Sequence, residues 1–288
     1  VLFYSNMSAA KELSDVKLNL QTTVILSALA IFLVCYLSRP NKEKGVFLRT
    51  GFMELYIDII EYFKASGQYT AHHEENFKNL EVTVDKTSLV PPQTFILVIG
   101  ESASRDHMKI FSDYERDTTP WLSKNQTSSE FFFFKNSYAC WYQTVPALER
   151  ALTEVNQYND KTFNKSFSIL DIAKKAGYET YWFSNQGYVG SVDTPITLIA
   201  NTADHATWTK QELNKKQYDG TLLDYLATVD PNKNNFIIFH FMGSHDNFQT
   251  RYPEEFTIWG TPGKYHLIDN YDNSLAYTDY LLKEIYTY

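Results

Sequence analysis

The run Phe95-Ile96-Leu97-Val98-Ile99 is continuously apolar and ends on Gly100-Glu101, with Ser102 and Ser104 following. Such a run predicts a strand buried on both faces, as the centre of a parallel sheet requires. Phe131–Phe134, Tyr178–Phe183 and Phe236–Met242 read as further strands. Between them the period changes to that of helices. One helix is predicted to begin near Pro146, with Leu148, Ala151, Leu152 and Val155 on one face. Another spans Phe167–Ala176, with Leu170, Ala173 and Ala176 inward and Gly177 as its stop. Tyr218–Val229 reads as a helix, and Asp269–Ile285 as a long final one with Tyr271, Leu275, Thr278 and Leu282 at helical spacing. Alternation of this kind predicts an α/β domain over residues 91–288, a mainly parallel sheet with helices on both faces. It opens on the rigid Val90-Pro91-Pro92.

The pattern upstream is different. Residues 1–19 are polar and mixed, whereas Leu20–Leu37 runs about 18 residues without a charge, long enough to cross a bilayer. Residues 20–38 are therefore read as a transmembrane helix, with a buried core helix as the alternative. Arg39, Lys42, Lys44 and Arg49 follow it, against Lys11 and Lys17 before it; taken alone, that bias puts the downstream side in the cytoplasm. Residues 39–90 form an amphipathic helix and a linker. In Val46–Tyr69 apolar residues recur at helical spacing, which suits either a helix on the membrane surface or one packed on the domain. His72-His73-Glu74-Glu75 has the residue types of a metal cluster, but adjacent residues on a helix do not share a face, so it reads as a solvated connector.

Composition narrows the function. Aromatics make up 16% of the chain, which excludes a disordered protein, and a net charge of -8 without a basic stripe excludes nucleic-acid binding. Cys35 and Cys140 lie in different kinds of segment and offer neither a disulfide framework nor a cysteine zinc site.

Three stretches carry chemistry. Glu101 stands at the carboxyl end of the first strand, where α/β sheets collect ligands; there it either holds a metal or sits in the first turn of a helix. Thr144 occupies an apparent N-cap ahead of Pro146, where a hydroxyl meets the positive end of a helix and either binds phosphate or only caps. Phe239-His240-Phe241-Met242-Gly243-Ser244-His245-Asp246 brings two histidines to a strand end at the same edge.

The segments GESASRDHM, YERDTTPWL, CWYQTVPALERALT and FHFMGSHDNFQTRYP together resemble the phosphoethanolamine transferases of Gram-negative bacteria. These are membrane-anchored enzymes whose periplasmic domain belongs to the alkaline phosphatase and sulfatase superfamily. The likeness runs from Thr94 to Tyr280, weakest over Gly187–Lys216, and its wording is nearer to the branch acting on lipopolysaccharide core heptose than to the lipid A branch. It implies Glu101 as a zinc ligand and Thr144 as the zinc-bound nucleophile that takes phosphoethanolamine from phosphatidylethanolamine. It further implies His245 at a second zinc or the transferring phosphate, His240 as a nearby substrate contact, and a lipopolysaccharide acceptor. The expected protein is a monomer in the bacterial inner membrane with its catalytic domain in the periplasm. The family's Asp-His zinc pair, in a DHGE-like motif after the final helix, is absent from the chain, which ends at Tyr288. Glu101 and Thr144 alone fall short of the four ligands zinc takes, so the chain as given is expected to be inactive.

Three rivals remain. A sulfatase needs a C-x-P-S-R setting, whereas Cys140 is followed by Trp-Tyr-Gln. A glycerophosphate transferase of the lipoteichoic acid synthase type also uses threonine and one metal, but the wording around Thr144 and the Gly-Ser-His motif disfavour it. A non-catalytic membrane-tethered lipid- or glycan-binding module is the third.

Overall fold

The computed structural model describes residues 24–25, 27–30, 67–85, 87, 90–187, 194–209 and 216–288. The chain forms two compact units, Val1–Ile60 and Glu61–Tyr288. In the first, residues 24–25 and 27–30 are helical and exposed; the rest of the expected membrane segment lies outside the described residues. Among the described residues, no helix is long and apolar enough to cross a membrane. The amphipathic stretch from Val46 also lies outside them, apart from its last residues.

The second unit is built on four parallel strands: β1 (Thr94–Ile99), β2 (Glu179–Ser184), β3 (His205–Trp208) and β4 (Asn235–His240), in the order β1-β4-β2-β3. The apolar runs place bulky side chains on both faces. Tyr181, Phe183, Ile237 and Phe239 point to one, where they pack with Leu222, Leu226, Tyr277, Leu281 and Ile285. Trp182 and Ile238 point to the other, against Leu152, Leu170, Ile196 and Ile199. Register sets Ile99, His240 and Ser184 side by side at the carboxyl edge.

Residues 67–79 are helical (α1), followed by α2 (Pro120–Lys124), α3 (Thr144–Leu152), α4 (Ile169–Lys175), α5 (Thr194–Ala200) and α6 (Leu267–Tyr286). In α4, Ser168 and Asp171 form a reciprocal capping box. The helix ends on Gly177 at φ 94°, with Tyr178 N–H bonded to Ala173 O and Gly177 N–H to Lys174 O, the paired bonds of a left-handed helix stop.

Several expectations need correction. Among the described residues β1 is an edge strand rather than the sheet's centre: it pairs with β4 alone, Thr94 and Phe95 are exposed, and Ile96–Ile99 are only half-buried. Phe131–Phe134 forms no strand: Phe131 and Phe133 turn inward, while Phe132 and Phe134 face solvent with no strand beside them. Residues 218–229 form a 3-10 run, Asp219–Thr228, rather than an α-helix. The helix carrying Leu148 ends at Leu152, so Val155 lies beyond it and Ala151 is exposed. Strand β3 and helix α5 had no counterpart in the sequence pattern. The supposed connector at His72–Glu75 is part of α1, which packs on the domain: His73 Nε2 lies 2.7 Å from Asp171 Oδ1, and Tyr69 is buried against Phe163.

Candidate active site

The carboxyl edge is assembled from three chain segments. Beyond β1, Phe241 N–H bonds to Ile99 O and Ser244 N–H to Glu101 O at 2.9 Å, so the turn after β4 continues the ladder past the strand ends. That turn requires Gly243, whose φ is +53°. Its shape is held by Asp219, a fully buried carboxylate that accepts from Met242 N–H and Gly243 N–H, each at 2.8 Å, and from Asn185 Nδ2. Burial pushes the Asp219 carboxyl up, opposed by those three hydrogen bonds.

Glu101 is fixed from the other side by α6. Ser102 takes φ 51°, a left-handed conformation uncommon for a residue with a side chain. The Tyr271 hydroxyl bridges this turn, donating to Ser102 O and accepting from Ser104 N–H, both at 2.7 Å.

Helix α3 brings the nucleophile candidate to this carboxylate. Thr144 Oγ1 donates to Glu101 Oε2 at 2.8 Å, and Ser102 Oγ donates to Oε1 at 2.9 Å. The N-cap is Gln143 rather than Thr144, which is the first helical residue. The difference matters chemically, because the Thr144 hydroxyl is directed at Glu101 and not spent on its own helix.

An open cleft of about 500 Å3 is lined by Glu101, Ser102, Tyr142, Gln143, Thr144 and His245 among others. His245 is exposed on its wall, and its carbonyl accepts from Arg251 Nε at 3.0 Å. His240 lies behind the cleft, buried, bordering a narrow pocket with Thr144, Trp182, Gln186 and Thr197. Its Nδ1 is 3.2 Å from Ser184 Oγ, while Nε2 is buried without a hydrogen-bond partner. Burial lowers its pKa to about 4, which keeps the ring neutral near pH 7. Glu101, Thr144 and His245 thus share one cleft, and His240 reaches Thr144 only through the pocket behind it.

Asp219, Tyr271 and Gly243, which hold these groups in place, were not singled out in the sequence. Gly243 stood inside the Gly-Ser-His segment and Tyr271 was read only as a face residue of the final helix; neither its bridge across 169 positions nor the bonds of Asp219 across 24 leave a local signal.

Glu101 and Thr144 offer the oxygen donors zinc accepts, with a histidine at the cleft wall. Among the described residues, however, no three His, Cys, Asp or Glu side chains are grouped to hold a metal ion. These residues fit as part of a zinc centre and do not complete one.

The family model described as Sulfatase matches residues 93–288. The chain belongs to the sulfatase family. Within that family it is similar to phosphoethanolamine transferase EptC of Escherichia coli K12, at 30% identity over 67% of the chain and 36% of EptC. It is also similar to phosphoethanolamine transferase OpgE of the same organism, at 34% identity over 67% of the chain and 36% of OpgE. The chain therefore spans about a third of the length of these sulfatase-family relatives. Among solved structures, the zinc complex of the C-terminal periplasmic domain of E. coli EptC superimposes with a TM-score of 0.59. There the identity is 28%, over 68% of the chain and 59% of that domain.

Proposed function

We propose that this sulfatase-family domain transfers phosphoethanolamine by double displacement, with Thr144 as the nucleophile. The observation that carries the reading is the 2.8 Å hydrogen bond from Thr144 Oγ1 to Glu101 Oε2, on the floor of a cleft at the sheet's carboxyl edge. The relatives' names supply the group transferred.

In the first step Thr144 Oγ attacks the phosphorus of phosphatidylethanolamine. The new Oγ–P bond forms as the bond to the glyceryl oxygen breaks, and diacylglycerol leaves carrying a proton. Glu101 orients the hydroxyl and draws its proton away from the attacking lone pair. In the second step a hydroxyl or phosphate oxygen of a lipopolysaccharide acceptor attacks the same phosphorus and frees Thr144. His245, on the open wall, binds the transferring phosphate, and neutral His240 supports the Thr144 side from behind. Glu101, Thr144 and His245 would take part in holding zinc, which when bound supplies positive charge to the phosphoryl oxygens and acidifies the attacking hydroxyl. A lipid donor fits a protein held at the periplasmic face of the inner membrane, working as a monomer.

Intact mass of the full-length protein after incubation with phosphatidylethanolamine tests this directly. Wild type should gain one phosphoethanolamine and release diacylglycerol, and Thr144→Ala should do neither. Diacylglycerol release that persists in Thr144→Ala would remove Thr144 from the mechanism.

A further inference from the structure

The segment leading into Thr144 is unusual in its exposure. Every residue from 134 to 143 is exposed, and the chain here is rich in large rings. Phe132, Phe134, Tyr138 and Tyr142 are 84%, 76%, 78% and 88% exposed, and Trp141 is 45% exposed. The loop is nevertheless anchored. Phe131 and Phe133 stack on each other, and Phe131 packs on Trp121 and Tyr286, so the alternate rings Phe132 and Phe134 are presented outward from a fixed base. Arg105 Nη1 donates to Lys135 O at 2.8 Å, and its guanidinium lies 5.6 Å from the Tyr138 ring centre. Arg150 lies 5.0 Å from the centre of Trp141, which stacks on Tyr142.

An apolar surface of this kind on a soluble face is costly unless something covers it. Its ring content and the charge of its outer face point to the cover. The chain carries a net charge of -8, yet Phe131–Gln143 contains no carboxylate and one lysine, Lys135. Arg105 and Arg150 add two more cations beneath the rings, while the carboxylates lie at the loop's base: Asp106 3.9 Å from Arg105, Glu149 beside Arg150, and Glu130 bonded to the Tyr286 hydroxyl. Tryptophan and tyrosine favour the level of lipid headgroups, phenylalanine the acyl region just beyond, and lysine and arginine the phosphates. Tyr142 belongs both to this surface and to the cleft wall, so the surface runs into the site without a break.

We propose that the Phe132–Tyr142 loop is a membrane-docking surface that inserts its rings into the headgroup layer of an anionic bilayer and sets the Thr144 cleft against it. The role given to the surface rests on the proposed transfer from a lipid; its geometry does not. Docking here would let a lipid phosphate reach Thr144 while its acyl chains stay in the bilayer, sparing the cost of extracting them.

Cys140, exposed within the loop, provides the probe. The full-length protein, with Cys35 and every other cysteine except Cys140 replaced by serine and Cys140 labelled with an environment-sensitive fluorophore, is reconstituted in vesicles of phosphatidylethanolamine and phosphatidylglycerol. Quenchers carried on lipid should reach the label, and aqueous iodide should reach it several-fold less than in protein lacking vesicles. Phe132→Ser with Phe134→Ser should restore iodide access without changing the melting temperature, since both rings are exposed. Equal iodide access with and without vesicles overturns the proposal. So does shielding that needs no lipid, whether it rises with protein concentration, which would mark a contact between copies, or not, which would mark cover by another part of the protein. Diacylglycerol release, measured in parallel, separates the two readings: an inserted loop without release refutes the transfer and leaves the docking surface standing, and a water-exposed loop with release does the reverse.

Discussion

Gly243 lies directly against the backbone of Glu101. A Cβ built on Gly243 would stand 2.7 Å from Glu101 N and 2.9 Å from Glu101 O, closer than real side chains come. The contact is backbone on backbone, so no rotamer can relieve it. The φ of +53° adds to the demand for glycine. The two strand ends of the site are thus spaced by the absence of one carbon.

Gly243→Ala should therefore push Glu101 away from Thr144 while leaving most of the core intact. A displacement of about 1 Å costs on the order of a hundredfold in rate, with a loss of roughly 1–3 kcal/mol in stability. Diacylglycerol release and a thermal melt, run side by side, check both. A variant that melts lower but retains its rate would show that Glu101 is not held by this contact.

How far the site was legible follows from the range of each interaction. The apolar runs marked β1, β2 and β4, but burial on both faces holds only for β2 and β4, while β1 keeps an apolar run at the edge of the described sheet. The carboxyl edge followed from them, and with it Glu101 and His245. Phe131–Phe134 misled because four consecutive phenylalanines have the composition of a buried strand, whereas among the described residues no strand pairs with them and only Phe131 and Phe133 turn inward. Thr144 was placed one position early: Pro146 signals a helix start, but the hydroxyl's partner, Glu101, is 43 positions away and shifts what the side chain does. The roles of Asp219 and Tyr271 were invisible for the same reason, since a buried carboxylate bonding two amides of a distant turn has no local pattern.

Tyr271→Phe isolates the second support of Glu101. The ring would keep its edge contacts with His107 and Phe248, at 5.1 and 5.0 Å, and only the bridge from Ser102 O to Ser104 N–H would go. Ser102 in its left-handed conformation would then relax. A stability loss of about 1–2 kcal/mol is expected, with a rate loss of roughly tenfold or more. Denaturant titration together with the transfer rate decides it, and an unchanged rate would mean that the Ser102 turn holds itself.

His240 makes the fold acid-sensitive. Its folded pKa is lowered to about 4 from 6.5 by burial, so the unfolded chain binds the proton more readily. Stability is then fully present above about pH 6.5 and falls as pH drops toward about 4, by on the order of 3 kcal/mol across the window. His240→Gln removes that titration. The gap between the wild-type and variant unfolding free energies, measured by urea at several pH values, should shift in the variant's favour as pH falls. Parallel curves would contradict a neutral buried ring.

His73 pairs with Asp171 at 2.7 Å and, with Tyr69 on Phe163 and Lys175 over Phe77, joins α1 to the domain. Burial alone would raise the Asp171 carboxyl, but hydrogen bonds from His73 and Ser168 bring it below the usual carboxylate range. A depressed carboxylate contributes stability above its unfolded pKa, and loses it as pH falls through the folded value, so the contact should persist at neutral pH and fail only in strong acid. His73→Ala leaves Asp171 buried with its capping partner Ser168 but without the ring, and removes the stacking surfaces for Tyr69 and Phe77. About 2 kcal/mol should be lost, and the loss should appear locally. Hydrogen exchange over residues 67–79 should rise sharply while β2 and β4 stay protected. His73→Gln, which keeps a donor toward Asp171, should recover part of that protection. If exchange in α1 is the same in wild type and His73→Ala, the helix is held by Tyr69 against Phe163 instead.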